Sequence, residues 1–182
     1  MTENEILERF GVWVESLPED TSALRAAYES KDVSKESKKI LVGGLAYLLR
    51  KIDIVPDYLG GLGSVDDAMV LREIARLAME SGLADFPDDE KMGVIVNMAN
   101  ETSVVQEFLG ELYEAFVAYV KTLPAMKVRN RDADMVLDDS EAGEQFGYEL
   151  DDELKSYKTR SIDGGEKALR ELKSFIKAKV NR

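Results

Sequence analysis

The chain has 182 residues, of which 45 % are hydrophobic and 33 % charged, a composition typical of one folded domain, or of one domain with an extension. It contains no cysteine and no histidine, which excludes disulfides, zinc sites built on those residues, and nucleophiles activated by histidine. The formal net charge of −12 argues against a nucleic-acid partner, because binding to a phosphate backbone depends on lysine and arginine.

The N-terminal region predicts two helices separated by a proline. Thr2 and Glu5 have the spacing of a capping box, and apolar residues then recur at helical intervals as far as Leu17. Pro18 is predicted to end this helix, and a shorter one is predicted at about 21–30. The chain opens acidic, without the basic and apolar regions of a cleavable signal, so we expect a cytoplasmic location.

The run Ile40–Leu49 contains no charged residue, which is typical of a helix buried on all sides. Ten helical residues rise only about 15 Å, half the hydrocarbon thickness of a membrane, and paired basic residues flank the run closely. We therefore predict a central core helix of a soluble protein. Gly43 and Gly44 would allow another helix to approach its backbone.

The remaining periodic segments are also helical, and no strand-period segment of useful length appears. Ser64 is predicted to cap a helix that ends at Gly82, and further helices follow, including a long one over Ser103–Leu123. The apolar face of that long helix is wide enough either for an oligomer interface or for burial within one chain. The sequence thus predicts an all-α, compact multi-helix domain of seven or eight helices.

The helical signal weakens between Met126 and Ser140, which is where we place a boundary. Residues 1–125 are predicted to form a helical core that contains a helical hairpin at about 39–82. Residues 126–182 are predicted to form a helical extension packed on or near that core. Within the extension, 132–153 holds ten acids and no base, and 154–182 holds nine bases and three acids. We expect these two segments to lie close together and partly neutralise each other.

The chain is organised around the stretch Ile52–Asp67, where acids, a proline and three glycines interrupt apolar sequence. Pro56 biases the residue before it to an extended conformation, and Asp57 can bond to the backbone amides that follow it. The three glycines permit positive φ and close approach. Asp66 and Asp67 suit the first turn of the next helix, whose dipole favours negative charge.

The run Tyr47-Leu-Leu-Arg-Lys-Ile-Asp53-Ile-Val-Pro56-Asp57, followed by Gly63-Ser-Val-Asp66-Asp67, resembles the signature of the YkvA-like bacterial domain family, domain of unknown function 1232. The resemblance covers about residues 39–78. It implies a helix, an Asp-x-x-Pro-Asp turn and a second helix, which together form a hairpin. It implies no activity, because the family has no established one.

The sequence favours a non-catalytic structural or protein-interaction module, with a protein partner or a second copy of the chain, no nucleic acid, no membrane and no cofactor. One alternative is a site for Mg²⁺ or Ca²⁺, and from it a metal-dependent hydrolase, because hard cations prefer carboxylate oxygens. Its candidate ligands are Asp53, Asp57, Asp66 and Asp67. A second alternative is peripheral membrane association through Tyr58, Leu59 and Leu62.

Overall fold

The computed structural model describes residues 1–50, 54–55, 57–83, 85–159 and 161–180, without the side chains of 57–60. The described residues form α-helices and short 3-10 turns and contain no strand, which confirms the all-α prediction. The helices are α1 (Glu3–Glu29), α2 (Lys35–Tyr47), α3 (Val65–Glu80), α4 (Asp89–Asn100), α5 (Thr102–Leu109), α6 (Tyr113–Thr122), α7 (Ala133–Asp138), α8 (Ser140–Ser156) and α9 (Gly165–Val180). The 3-10 turns are Asp57–Ser64, Gly110–Leu112 and Leu123–Ala125.

Helix α1 begins as predicted but continues through the proline that was expected to end it. The Thr2 side chain accepts from the Glu5 amide, and the Glu5 side chain accepts from the Thr2 amide, so the capping box is formed. Pro18 lies inside the helix and has no N–H to donate to the carbonyl of Val14, four residues earlier. The hydroxyl of Tyr157 donates to that carbonyl at 2.6 Å. A contact from the other end of the chain thus satisfies the group that the proline leaves open.

Helices α2 and α3 pack against each other in antiparallel order. The Ser37 hydroxyl donates to the carbonyl of Ala78 near the start of α2 and the end of α3. Tyr47 contacts Asp66 at the opposite ends of the two helices. Between these points, a Cβ added to Gly44 would lie 2.5 Å from the side chain of Ile74, so the glycine is what permits this approach.

Gly43 serves a second close contact on the same helix. A Cβ at Gly43 would lie 2.7 Å from the backbone nitrogen of Pro124, in the 3-10 turn after α6. The prediction that the glycine pair allows another helix to approach the backbone of α2 is confirmed at Gly44, which meets Ile74 of α3. Together with α2, helix α3 forms the centre of the molecule, since α3 is buried on nearly all sides.

The long helix predicted over 103–123 is interrupted. Gly110 has φ +57° and ψ −123°, so α5 ends at Leu109 and α6 begins only after one 3-10 turn. The bend turns the apolar residues of both helices toward one core, where Phe108, Phe116 and Val120 are buried. These three residues are thus buried within a single chain, and an oligomer interface on the rest of the apolar face stays a prediction.

The C-terminal residues pack on the helices that precede them. The segment 126–140, where the helical sequence signal is weak, contains the short helix α7. Asp132 caps its N-terminus by accepting a hydrogen bond from the amide of Met135. Helix α9 packs its apolar face against α1 and α6. Of the ten acids in 132–153, Asp152 pairs with Lys155 of the basic segment at 3.9 Å. Four others pair with bases outside 154–182: Asp134 with Lys39, Asp138 with Lys35, Glu149 with Arg131 and Asp151 with Arg25.

Candidate functional site

Asp66 is fully buried at the start of α3, where it joins three parts of the chain. Its Oδ2 accepts from the Tyr47 hydroxyl at 2.6 Å, from the Ile54 amide at 3.1 Å and from the Val55 amide at 3.3 Å. The Ile54 amide also donates to the Tyr47 hydroxyl oxygen at 2.9 Å. One carboxyl oxygen therefore links the end of α2, the turn at 54–55 and the first turn of α3.

Burial dominates the electrostatics of this cluster. Loss of hydration raises the pKa of Asp66 from its ordinary value of 3.8 to about 7, although the hydrogen bonds from Tyr47 and the two amides act in the opposite direction. Burial and the neighbouring Asp66 carboxylate likewise hold the pKa of Tyr47 well above 10. Oδ1 of Asp66 has no hydrogen-bond partner among the described residues.

Asp67 faces a different part of the molecule, because successive helical side chains point about 100° apart. It is half-buried and lines a cavity of about 30 Å³, enough for one water molecule, together with Glu153 and Tyr157. Asp67 also lies near Tyr47, because its charge contributes to the raised pKa of that tyrosine. That Asp66 and Asp67 share a metal site stays a prediction. Asp53 and the side chain of Asp57 lie outside the described part of the chain, so their place relative to Asp66 stays a prediction.

Nowhere in the described part of the chain do three or more acidic, histidine or cysteine side chains lie close enough together to hold a metal ion. Ser64 occupies the position before α3, as predicted, but its side chain makes no capping hydrogen bond. Residues 54–55 are therefore held at the start of α3 by hydrogen bonds to Asp66, whereas Ser64 makes no capping hydrogen bond there. Pro56 and the Asp-x-x-Pro-Asp turn as a whole lie outside the described residues.

A second buried polar cluster was not predicted. The Arg72 side chain is 2 % exposed, and its guanidinium lies 4.1 Å from the ring centroid of Trp13. It donates through Nη1 to Asp20 at 3.2 Å and through Nε to Glu101 at 2.8 Å. Burial lowers the pKa of Arg72 and raises that of Asp20, against the attraction between them. The cluster ties α1, α3 and α4 together.

The sequence carried little signal for this cluster. Arg72 lies beside Leu71 among the apolar residues of α3, and a charged residue at the border of an apolar helix face is normally a solvated one. Only knowledge that α3 is surrounded on all sides would have identified a buried arginine that needs acidic partners. The neighbouring Glu73 is likewise fully buried, where it accepts from the Tyr113 hydroxyl at 3.0 Å and pairs with Arg76.

The fold and site define an all-α protein in which a buried carboxyl joins the antiparallel pair α2 and α3 to residues 54–55, which together are called the α2–α3 unit. Residues 37–71, which form most of that unit, match the model of a family described as protein of unknown function (DUF1232). The match confirms the resemblance seen in the sequence, and it includes both Tyr47 and Asp66. Comparisons with curated proteins and with solved structures gave no significant match.

Proposed function

We propose that the protein is a non-catalytic helical module that acts through contacts with other proteins, and that its DUF1232-like segment is an architectural element. The observation that carries the architectural assignment is the position of Asp66. Its side chain is fully buried and its Oδ2 accepts three hydrogen bonds from the surrounding helix end and turn. A signature acid used in this way holds residues 54–55 and the end of α2 against the start of α3.

The metal-binding alternative is less well supported by the same geometry. A Mg²⁺ or Ca²⁺ ion collects several oxygen ligands and usually water around one point. Asp66 is fully buried, and its Oδ2 already accepts three hydrogen bonds. A metal site would therefore depend on Asp53, Asp57 and Asp67 for most of its carboxylate ligands.

The membrane alternative depends on an apolar turn that faces outward. Leu62, one of its three candidate anchors, is 4 % exposed and belongs to the core. Tyr58 and Leu59 have no described side chains. No helix of the described ranges is both long and apolar enough to span a membrane.

Thermal unfolding with EDTA, Mg²⁺, Ca²⁺ or Mn²⁺ tests the architectural assignment, because a ligand of the native state raises the unfolding midpoint by mass action. Wild type is compared with Asp57→Asn, Asp66→Asn and, as a surface control, Asp152→Asn. Asp152 has a side chain that is 85 % exposed. We expect no metal-specific shift, and destabilisation by Asp66→Asn but not by the control. A metal-specific rise that Asp57→Asn or Asp66→Asn abolishes would contradict the proposal.

Cross-linking of the full-length protein in an extract of its source organism, followed by mass spectrometry, tests the interaction role. We expect intermolecular cross-links that recur between preparations and map to one surface of this chain. Cross-links found only within the chain, at extract concentrations that preserve known complexes, would count against an interaction module.

A further inference from the structure

A cavity of about 450 Å³ opens to solvent between α1, α7 and α8. Its size falls within the range of ligand-binding clefts. Tyr28 of α1 and Val136 and Leu137 of α7 contribute apolar surface, and Tyr148 of α8 stands beside them with 67 % of its surface exposed. None of the groups described in the preceding site belongs to this cleft.

Two glycines of α8 shape the cleft. Gly143 and Gly147 are one helical turn apart and so share a face of the helix. A Cβ at Gly143 would lie 2.9 Å from the carbonyl oxygen of Val136, and one at Gly147 would lie 3.1 Å from the guanidinium of Arg25. The absence of side chains there brings α7 and Arg25 close to α8, and side chains from elsewhere on the helices form the walls.

The charges along the cleft are strongly unbalanced. Its lining contains four acids, Glu29, Asp139, Glu144 and Asp151, and a single base, Arg25, which gives a formal charge of −4 + 1 = −3. Arg25 is engaged by two of these acids, Glu29 at 2.8 Å and Asp151. Asp139 caps α8 by accepting from the amide of Ala142, and Glu144 is exposed.

We propose that this cleft binds an arginine side chain presented by a basic segment of a partner protein, an inference that rests on the interaction role proposed above. A net charge of −3 calls for a cationic occupant. An exposed tyrosine ring next to carboxylates suits a guanidinium, which pairs with carboxylate oxygens in a plane and stacks on aromatic faces. The apolar surface from Tyr28, Val136 and Leu137 accommodates the aliphatic part of the segment.

Fluorescence anisotropy with the full chain tests this proposal. The probe is a fluorescein-labelled, C-terminally amidated peptide of sequence Gly-Ser-Arg-Leu-Arg-Ser-Gly, and the reference peptide replaces both arginines with citrulline, which is nearly isosteric but uncharged. We expect saturable binding of the arginine peptide that weakens with added salt, and at least tenfold weaker binding of the citrulline peptide. Argininamide alone should compete at least tenfold less well than the peptide.

Charge variants locate the binding. Glu144→Lys places a cation in the cleft and should weaken peptide binding at least tenfold, and Glu144→Gln should weaken it to a smaller degree. Asp152→Lys makes the same charge change on the same helix outside the cleft, and should alter the affinity by less than about threefold, as expected for screened surface charge. Tyr148→Ala should weaken binding by about threefold or more through loss of stacking. Circular dichroism shows that each variant is folded.

Three results would overturn the proposal: no saturable binding at low salt, equal binding of the citrulline peptide, or equal weakening by Glu144→Lys and Asp152→Lys. Competition by argininamide as strong as that of the peptide would overturn the assignment to a protein segment. If any of these results is found and the metal titration is negative, the proposal for the cleft is rejected and the proposed function stands. A metal response lost in Asp66→Asn removes the proposed function, whatever the peptide does.

Discussion

The Tyr47 hydroxyl is buried between Asp66 and the turn at 54–55 and bonds to both. Tyr47→Phe should lower the free energy of unfolding by about 1–3 kcal/mol, because it removes the donor to Asp66 and the acceptor for the Ile54 amide. Urea unfolding measures the loss. Tyr148→Phe, which changes a tyrosine that is 67 % exposed, is the matched control and should be nearly neutral. Equal effects of the two changes would show that the buried hydroxyl does not hold the turn.

Asp66 also predicts a direction for the pH dependence of stability. Its pKa is raised from 3.8 to about 7 by burial, so between about pH 4 and pH 7 the folded protein binds a proton that the unfolded chain has released. The contribution of this group to stability is therefore greatest at low pH and falls as pH rises through the folded-state pKa.

Asp66→Asn should flatten that part of the profile. The measurement is the free energy of unfolding of wild type and variant at intervals from pH 4 to pH 8. As pH rises over this range, the free energy of unfolding of the variant should increase relative to that of wild type. A constant difference across this range would show that Asp66 has the same pKa in the folded and unfolded states.

The residues of the candidate site were partly accessible from sequence. The family resemblance singled out Asp66 as a signature acid, and the local sequence predicted that it lies in the first turn of a helix, which is where it lies. Its burial and its bond to Tyr47 depend on the antiparallel packing of α2 on α3, which no local pattern encodes. Arg72 was missed for a similar reason, since its acidic partners come from α1 and from the residue after α4.

At the level of elements, Gly110 separates α5 from α6 with a backbone conformation that favours glycine. Gly110→Ala should destabilise the protein by about 1–3 kcal/mol even though a Cβ there meets no neighbouring atom within 4 Å. Gly93→Ala is the control, because Gly93 lies inside α4 with equal free space and a helical φ. It should stabilise by up to about 1 kcal/mol. Urea unfolding measures both changes. If both substitutions destabilise the protein, or both stabilise it, the assignment of backbone strain to an alanine at residue 110 is wrong.

The hydrogen bond from Tyr157 to Val14 predicts that α1 and the end of α8 are coupled energetically. Tyr157→Phe should cost about 1 kcal/mol, because the Val14 carbonyl then loses its donor. In a Pro18→Ala background the cost should be smaller, since the new amide can bond to the same carbonyl. A double-mutant cycle by urea unfolding measures this coupling, and additive effects would show that the two residues act independently.

The same bond explains why the first helix was divided in the sequence-based prediction. Proline in a helix interior normally ends or kinks it, and the pattern before residue 18 gave no reason to expect otherwise. The compensating hydroxyl lies 143 residues from Val14. Local signals such as the Thr2 capping box were sufficient where both partners lie within one turn.

At the scale of the whole molecule, burial of α9 predicts that the C-terminal residues unfold together with the rest. Leu172 is fully buried where α9 meets its neighbours, so Leu172→Ala should cost about 2–5 kcal/mol. Far-UV circular dichroism follows all helices, and the fluorescence of Trp13, the only tryptophan in the sequence, follows the core near α1. Both signals should shift by the same amount. A loss of ellipticity that precedes the Trp13 transition would show that 126–182 is a separate unit.

The proline of α1 has a consequence for the order in which a growing chain completes its structure. During synthesis the N-terminal helix leaves the ribosome long before Tyr157 is added, so the Val14 carbonyl lacks this donor throughout that time. Its final partner arrives only when the end of α8 docks. Closure of this contact, which spans 143 positions, therefore belongs to the late steps of folding, and we expect a chain released before residue 157 to hold its first helix less firmly than the finished protein does.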